Sequence, residues 1–115
     1  MAVVNLSIAT IDSQSFNGQT PIPISGDGPW TIAGQATPAD GYSVTRLTWN
    51  YDLIQSSQEI SRASLPTWSF QLERSDIATF AEGAQSSFWV DGYDDDDDQT
   101  APAPARIFGY VVWHS

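Results

Sequence analysis

The five tryptophans of this 115-residue chain lie in five separate short apolar stretches, one in each. The stretches are PWTIAG, RLTWNYD, PTWSFQL, SSFWVDGY and IFGYVVW, and runs of Gly, Pro, Asp, Ser and Gln separate them. Short segments of aromatic and β-branched residues, divided by turn-forming residues, are typical of small all-β sandwiches. The spacing therefore predicts a small all-β sandwich.

Alternating apolar residues predict about seven strands, since side chains two positions apart share one face of a strand. The shared faces are Val4, Leu6 and Ile8; Leu47, Trp49 and Tyr51; and Trp68, Phe70 and Leu72. Val44 is out of phase with the second set, which predicts a β-bulge near Thr45 and Arg46. A weaker strand pattern covers residues 59–64, and a helical turn or short helix is expected over 74–84.

The segment 13–29 is rich in turn signals and contains three prolines. A regular central strand is not expected there, because proline cannot donate to the hydrogen-bond ladder of a sheet. A chain of this length predicts a single domain, residues 1–115, which buries roughly 60–68% of its unfolded surface. It has no cysteine, so neither a disulfide nor a thiolate metal site can contribute to stability.

Neither export nor membrane insertion is expected from the sequence. The first residues lack a basic segment followed by a long apolar stretch, so we expect no signal peptide. No run approaches the ~20 apolar residues of a membrane span. The chain is therefore expected to be complete, soluble and made in the cytosol, unless it is a piece excised from a larger protein.

The charge is strongly acidic and concentrated in one loop. Fourteen acidic residues face four arginines and no lysine, for a net charge of −10. Six of these acids are Asp91 and Asp94 to Asp98, in an acidic and proline-rich loop over residues 91–105. This balance disfavours binding to nucleic acids and to anionic membranes, both of which need clustered Lys and Arg. It also excludes lysine-based catalysis.

Four segments resemble bacterial and phage immunoglobulin-like domains: WTIAGQATPADGYSV, RLTWNYD, TWSFQLERSD and SSFWVDGYDDDD. The resemblance covers roughly residues 29 to 112 and implies an immunoglobulin-like β-sandwich of about seven antiparallel strands. Such domains serve as adhesion or display units in adhesins, secreted enzymes and phage virions, without catalysis of their own. Here an uninterrupted Asp run replaces the Asp-x-x-Gly-Asn turn that is more usual in the family.

The Asp run leaves three interpretations open. Asp94, Asp96 and Asp98 would supply oxygen ligands for Ca²⁺, the one cofactor that the sequence suggests. The run does not match an EF-hand loop, because Gln99 and Ala105 stand where that loop needs Gly and Glu. The other interpretations are a solvated acidic loop and docking to a basic patch on a neighbouring subunit.

No catalytic site is predicted, and the chain is not expected to be an enzyme. Glu59, Glu73 and Glu82 are scattered along the chain, without the convergence that paired-carboxylate hydrolysis needs. His114, the only histidine, is the penultimate residue and lacks the supporting residues of a catalytic triad.

The tryptophans have two interpretations, as core residues or as a sugar-binding platform. For Trp49 and Trp68 we expect core positions, since large aromatic residues dominate the burial of small domains. The sequence does not decide between the two for Trp30, Trp89 and Trp113.

The last apolar segment, RIFGYVVW, is apolar on both faces of the strand it predicts. Ile107, Val111 and Trp113 share one face, and Phe108, Tyr110 and Val112 share the other. In its expected neighbour, Phe88 and Val90 oppose Trp89 in the same way. Because a two-layer sandwich buries one face of each sheet, Trp89, Phe108, Tyr110 and Val112 need a second cover. The segment 13–29 and a partner protein are both candidates for this cover.

These features predict a non-enzymatic structural or attachment module on a virion surface, such as a phage capsid decoration or head-surface protein. The expected partners are the capsid or sister subunits, the latter in a homo-oligomer, with no nucleic acid and no membrane. The alternative is a Ca²⁺-stabilised adhesin, or a carbohydrate-binding immunoglobulin-like module, from a larger secreted protein. That alternative would be extracellular or at the cell surface.

Overall fold

Nine β-strands make up the regular structure in the described part of the chain. The computed structural model describes residues 4–26, 28–38, 40–51, 58–73, 82–94 and 105–114, with the backbone alone at Tyr51 and Asp94. The strands are β1 (Asn5–Ile11), β2 (Gln14–Ser15), β3 (Ile22–Ser25), β4 (Trp30–Thr37), β5 (Val44–Tyr51), β6 (Gln58–Glu59), β7 (Thr67–Leu72), β8 (Gln85–Asp94) and β9 (Ala105–His114). The predicted all-β class is confirmed.

The strands form two sheets. One has the order β2-β1-β4-β7 and the other the order β3-β9-β8-β5-β6. All neighbours are antiparallel except β3 and β9, which are parallel. Seven strands have four or more residues, and β2 and β6 have two each. The parallel strand β3 lies in the segment where no regular central strand was expected, and it is an edge strand, where Pro23 is tolerated.

The core lies between the two sheets and is rich in aromatic rings. Trp49 of β5 stacks on Phe70 of β7, with ring centroids 4.6 Å apart and an interplanar angle of 8°. Phe70 also meets Phe88 edge-on at 5.8 Å and lies 6.1 Å from Trp68. The predicted burial of Trp49 and Trp68 is confirmed, and Trp30 and Trp113 are buried as well. Aromatic rings of both sheets thus form the centre of the domain.

Two β-bulges set which side chains reach this core. The bulge predicted near Thr45 and Arg46 is present as a register shift between β5 and β8, and Val44 is buried. A second register shift, not predicted, lies between Ile8 and Thr10 where β1 pairs with β4. One extra residue reverses the facing of a strand, so both Ile8 and Ile11 point into the core.

The pattern over residues 59–64 predicted more strand than is found. Only Gln58 and Glu59 pair with β5; Ile60 then leaves the strand and buries its side chain, its N–H donating to the Leu47 carbonyl. Most of the helix expected over 74–84 lies outside the described residues, and 82–83 form a turn. In the part of the chain that the structure describes, no helix is long and apolar enough to cross a membrane.

Candidate functional site

Four apolar residues predicted to need a cover come together on the outer face of the five-stranded sheet. The pairing of β8 with β9 places Trp89 opposite Phe108, with ring centroids 6.1 Å apart, and Ser87 opposite Tyr110. Phe108 is 45% exposed, whereas Trp89, Tyr110 and Val112 are half-buried. We call the surface formed by Trp89, Phe108, Tyr110 and Val112 the aromatic face.

The segment 13–29 covers only part of the aromatic face. Its residue Phe16 is half-buried, and its ring lies 6.3 Å from that of Tyr110. Farther along the segment, β3 turns Ile22 and Ile24 into the core instead of over the outer face. Phe108 is not covered by this segment and remains exposed to solvent.

An ion pair orders the side chains next to the aromatic face. Arg106 donates from Nε to Asp91 Oδ1 at 2.7 Å and from Nη2 to Asp91 Oδ2 at 3.0 Å. The Asp91 side chain is 5% exposed and that of Arg106 is 46% exposed. The hydrogen bond to Asp91 raises the pKa of Arg106, so the guanidinium stays protonated. This guanidinium also lies over the Trp89 ring, 5.3 Å from its centroid, where a cation–π attraction stabilises the contact.

A second pair repeats the arrangement on neighbouring strands. Arg46 donates to Glu59 at 2.7 Å and lies over the Tyr93 ring, 5.7 Å from its centroid. The hydrogen bond to Glu59 raises the pKa of Arg46. Arg46 and Arg106 are thus each matched by one acid, although the whole chain carries a net charge of −10. The ring-bearing part of this face is therefore close to neutral.

Replacing Arg106 by alanine is expected to lower the free energy of unfolding by about 1–3 kcal/mol, because Asp91 would keep a buried carboxylate without its bidentate donor. Urea denaturation measures the change. In an Asp91→Asn background, where that charge is already absent, the same substitution should cost less. Equal costs in the two backgrounds would show that Arg106 contributes packing rather than charge.

The residues predicted to bind Ca²⁺ are not placed by the structure. Asp96, Asp98 and the side chain of Asp94 lie outside the described residues. Among the residues that are described, no three His, Cys, Asp or Glu side chains are grouped so that they could hold a metal ion. The acidic loop predicted over residues 91–105 is shorter than expected, because β8 continues to Asp94 and β9 begins at Ala105. Asp91 therefore lies in a strand, where both of its carboxylate oxygens bind Arg106.

The acidic residues weighed as catalytic candidates, Glu59, Glu73 and Glu82, are all exposed. Glu59 pairs with Arg46, and Glu82 contacts His114 at exposed positions. His114 lies at the end of β9, where its Nδ1 contacts Glu82. These contacts are structural pairs between neighbouring strands and turns.

Two features of this face were not predicted from the sequence. One is the contact of Arg46 and Arg106 with an acid and an aromatic ring, and the other is a groove beside β9. The sequence did contain a signal for the Arg106 contacts. Trp89 and Asp91 are two residues apart on β8, as are Arg106 and Phe108 on β9, so the two pairs share one face of adjacent strands. The groove has a volume of about 480 Å³ and lies between β1 and β9. Its walls come from residues far apart in the chain, so the sequence carried no local sign of it.

No protein-family model matches the chain, and no curated protein matches it. The fold and the aromatic face are therefore the basis for assigning a function.

Proposed function

We propose that this chain is a non-enzymatic attachment module with an immunoglobulin-like fold, which binds a protein of a virion surface through its aromatic face. The observation that carries this proposal is the pairing of Trp89 with a 45% exposed Phe108, on a sheet whose other face already forms the core. Exposed apolar patches beside polar residues mark interaction sites, and Trp, Tyr and Arg are enriched in binding hot spots.

The strand order supports an immunoglobulin-like fold. The sequence β1-β4-β7 corresponds to strands A, B and E of that fold, and β9-β8-β5-β6 corresponds to G, F, C and C′. Trp49 on β5 has the position of the buried strand-C tryptophan. The fold itself fits many functions, so the aromatic face carries the functional part of the proposal.

The partner we propose is a capsid or head-surface subunit, on the strength of the resemblance to phage immunoglobulin-like domains. The charges described on this face are internally paired, so covering it would not leave an arginine without its acid. The remaining acids of the chain would then face outward or meet a basic partner surface.

A carbohydrate-binding function is less well supported. A sugar ring would have to stack on an exposed aromatic ring, and Arg106 already lies over Trp89 at 5.3 Å. Trp and Arg are among the residues enriched in protein-binding hot spots, so a protein partner can contact Arg106 and Trp89 together. The geometry of Trp89 therefore favours a protein partner.

Replacing Trp89 by alanine is expected to weaken binding to purified virus particles about ten-fold or more, as for a hot-spot residue. Co-sedimentation of labelled protein with the particles measures this binding. A matched control is Gln35→Ala, an exposed residue on the four-stranded sheet, which should bind like the wild type. Sedimentation velocity of the protein alone tests whether a sister subunit covers the face instead.

Two results would contradict the proposed function. One is the absence of the protein from purified particles in mass spectrometry. The other is unchanged particle binding by Trp89→Ala.

A further inference from the structure

The first half of β9 has a free edge. β3 pairs with β9 from Val111 to His114, whereas β9 begins at Ala105. No other strand in the described part of the chain pairs with β9 on that side. Strands with a free edge present backbone groups that can bind another chain.

The direction of these backbone groups follows from the pairing at Trp113. Its N–H donates to the Ala84 carbonyl at 3.0 Å, and its carbonyl accepts from the Gly83 N–H at 2.9 Å, so both groups point towards the β8 side. Along an antiparallel pair the direction alternates from residue to residue, and β8 and β9 pair without a register shift. The N–H and carbonyl groups of Arg106 and Phe108 therefore point the other way, towards the free edge.

The groove beside β9 runs along this same edge. Leu6 and Ile8 of β1, Phe16, and Ile107 and Tyr110 of β9 contribute to its lining. Its volume of about 480 Å³ lies within the range of about 300–1,000 Å³ that ligand sites occupy. Apolar walls beside free backbone donors and acceptors are what an extended peptide needs to add as a strand.

We infer that this edge groove binds an extended segment of the partner protein as an additional strand beside β9. The backbone groups of Arg106 and Phe108 hydrogen-bond to the segment, and an apolar side chain of the segment fills the space between β1 and β9. The charged side chain that lines the groove, Arg106, is paired with Asp91, so the net charge of −10 carried by the whole chain favours a segment that carries Lys or Arg through long-range attraction. The inference rests on the proposed function, because Phe108 and Tyr110 belong to both the groove and the aromatic face.

A synthetic octapeptide of alternating Val and Lys is the probe, with binding followed by fluorescence anisotropy. Phe108→Ala and Phe108→Pro both remove the ring, but only proline also removes the N–H that points to the groove. Proline is compatible with the fold at this position, since that N–H takes no part in the pairing with β8. We expect Phe108→Pro to bind the peptide at least ten-fold more weakly than Phe108→Ala does.

Hydrogen exchange of the wild-type protein provides a measurement that does not depend on a variant. The amides of Arg106 and Phe108 should exchange rapidly in the free protein and become protected when the peptide binds. A peptide N-methylated at every residue, which is blocked along both backbone edges, should not protect them. Equal binding by the two Phe108 variants, or protection by the methylated peptide, would overturn the edge groove.

Two further results separate this inference from the proposed function. Trp89→Ala leaves the backbone of β9 unchanged, so it should retain peptide binding while losing particle binding. Peptide binding by a wild-type protein that does not bind particles would refute the virion function alone. If the protein self-associates, and Phe108→Ala retains this self-association whereas Phe108→Pro loses it, then a second copy of the chain occupies the edge groove. That result would overturn the inference that a segment of the partner protein binds there.

Discussion

Replacing Trp49 by alanine is expected to lower the free energy of unfolding by about 3–5 kcal/mol, as for other large aromatic residues removed from a core. Trp49 is only 7% exposed, and its ring stacks on Phe70 at a centroid distance of 4.6 Å. The substitution leaves a cavity where the two sheets meet, and it removes the ring contact that joins β5 to β7. Chemical denaturation followed by far-ultraviolet circular dichroism measures the loss.

Trp89 provides the matched control for this substitution. It lies beside β5 on the same sheet, opposite Asn50, but its ring is on the outer face. Trp89→Ala should cost about 1 kcal/mol or less, chiefly through the lost contact with Arg106. Similar losses for the two tryptophans would contradict a core between the two sheets.

The core was predictable because the alternation that creates it is local in sequence. Trp68, Phe70 and Leu72 alternate with polar residues, and all three are buried in β7. The bulge in β5 was visible for the same reason, since Val44 is out of phase with Leu47. The bulge in β1 places both Ile8 and Ile11 in the core, although they are three residues apart. This spacing is visible in the sequence, but the bulge was not predicted from it.

The position of β3 could not be derived from local pattern. Its pairing of Ile22 with Val111 joins residues from opposite ends of the chain. The prolines around it indicated only where a central strand was not expected, which fits an edge strand equally well. The free edge of β9 is the part that precedes its pairing with β3, which begins at Ile22 and Val111. The edge groove could therefore not be predicted from local pattern either.

The aromatic face was predicted in part. An apolar pattern on both sides of β9 is a local signal, and it indicated Phe108, Tyr110 and Val112 correctly as outward-facing. The alternation does not show how far a loop covers such a face; in the structure Phe16 lies beside Tyr110, and Phe108 stays exposed. Whether a partner covers the rest stays a prediction.

Gly34 is the position where the smallest substitution is expected to have a large effect. An added Cβ would lie 2.0 Å from the Ser7 carbonyl oxygen and 2.5 Å from Cζ2 of Trp68. The first contact is with backbone, so Ser7 cannot move away without separating β1 from β4, and the second is with a buried indole ring. We expect Gly34→Ala to lower the free energy of unfolding by about 3 kcal/mol, the upper end of usual overpacking costs.

Gly109 shows how the two contacts at Gly34 can be distinguished. There the three nearest atoms to an added Cβ all belong to the Phe88 ring, the closest at 2.2 Å. Phe88→Leu should therefore reduce the cost of Gly109→Ala, because a smaller side chain makes room. Trp68→Leu should not relieve Gly34→Ala in the same way, since the Ser7 carbonyl remains. Denaturation of the single and double variants measures both couplings. If Trp68→Leu abolished the cost of Gly34→Ala, the contact with the Ser7 carbonyl would not be what limits position 34 to glycine.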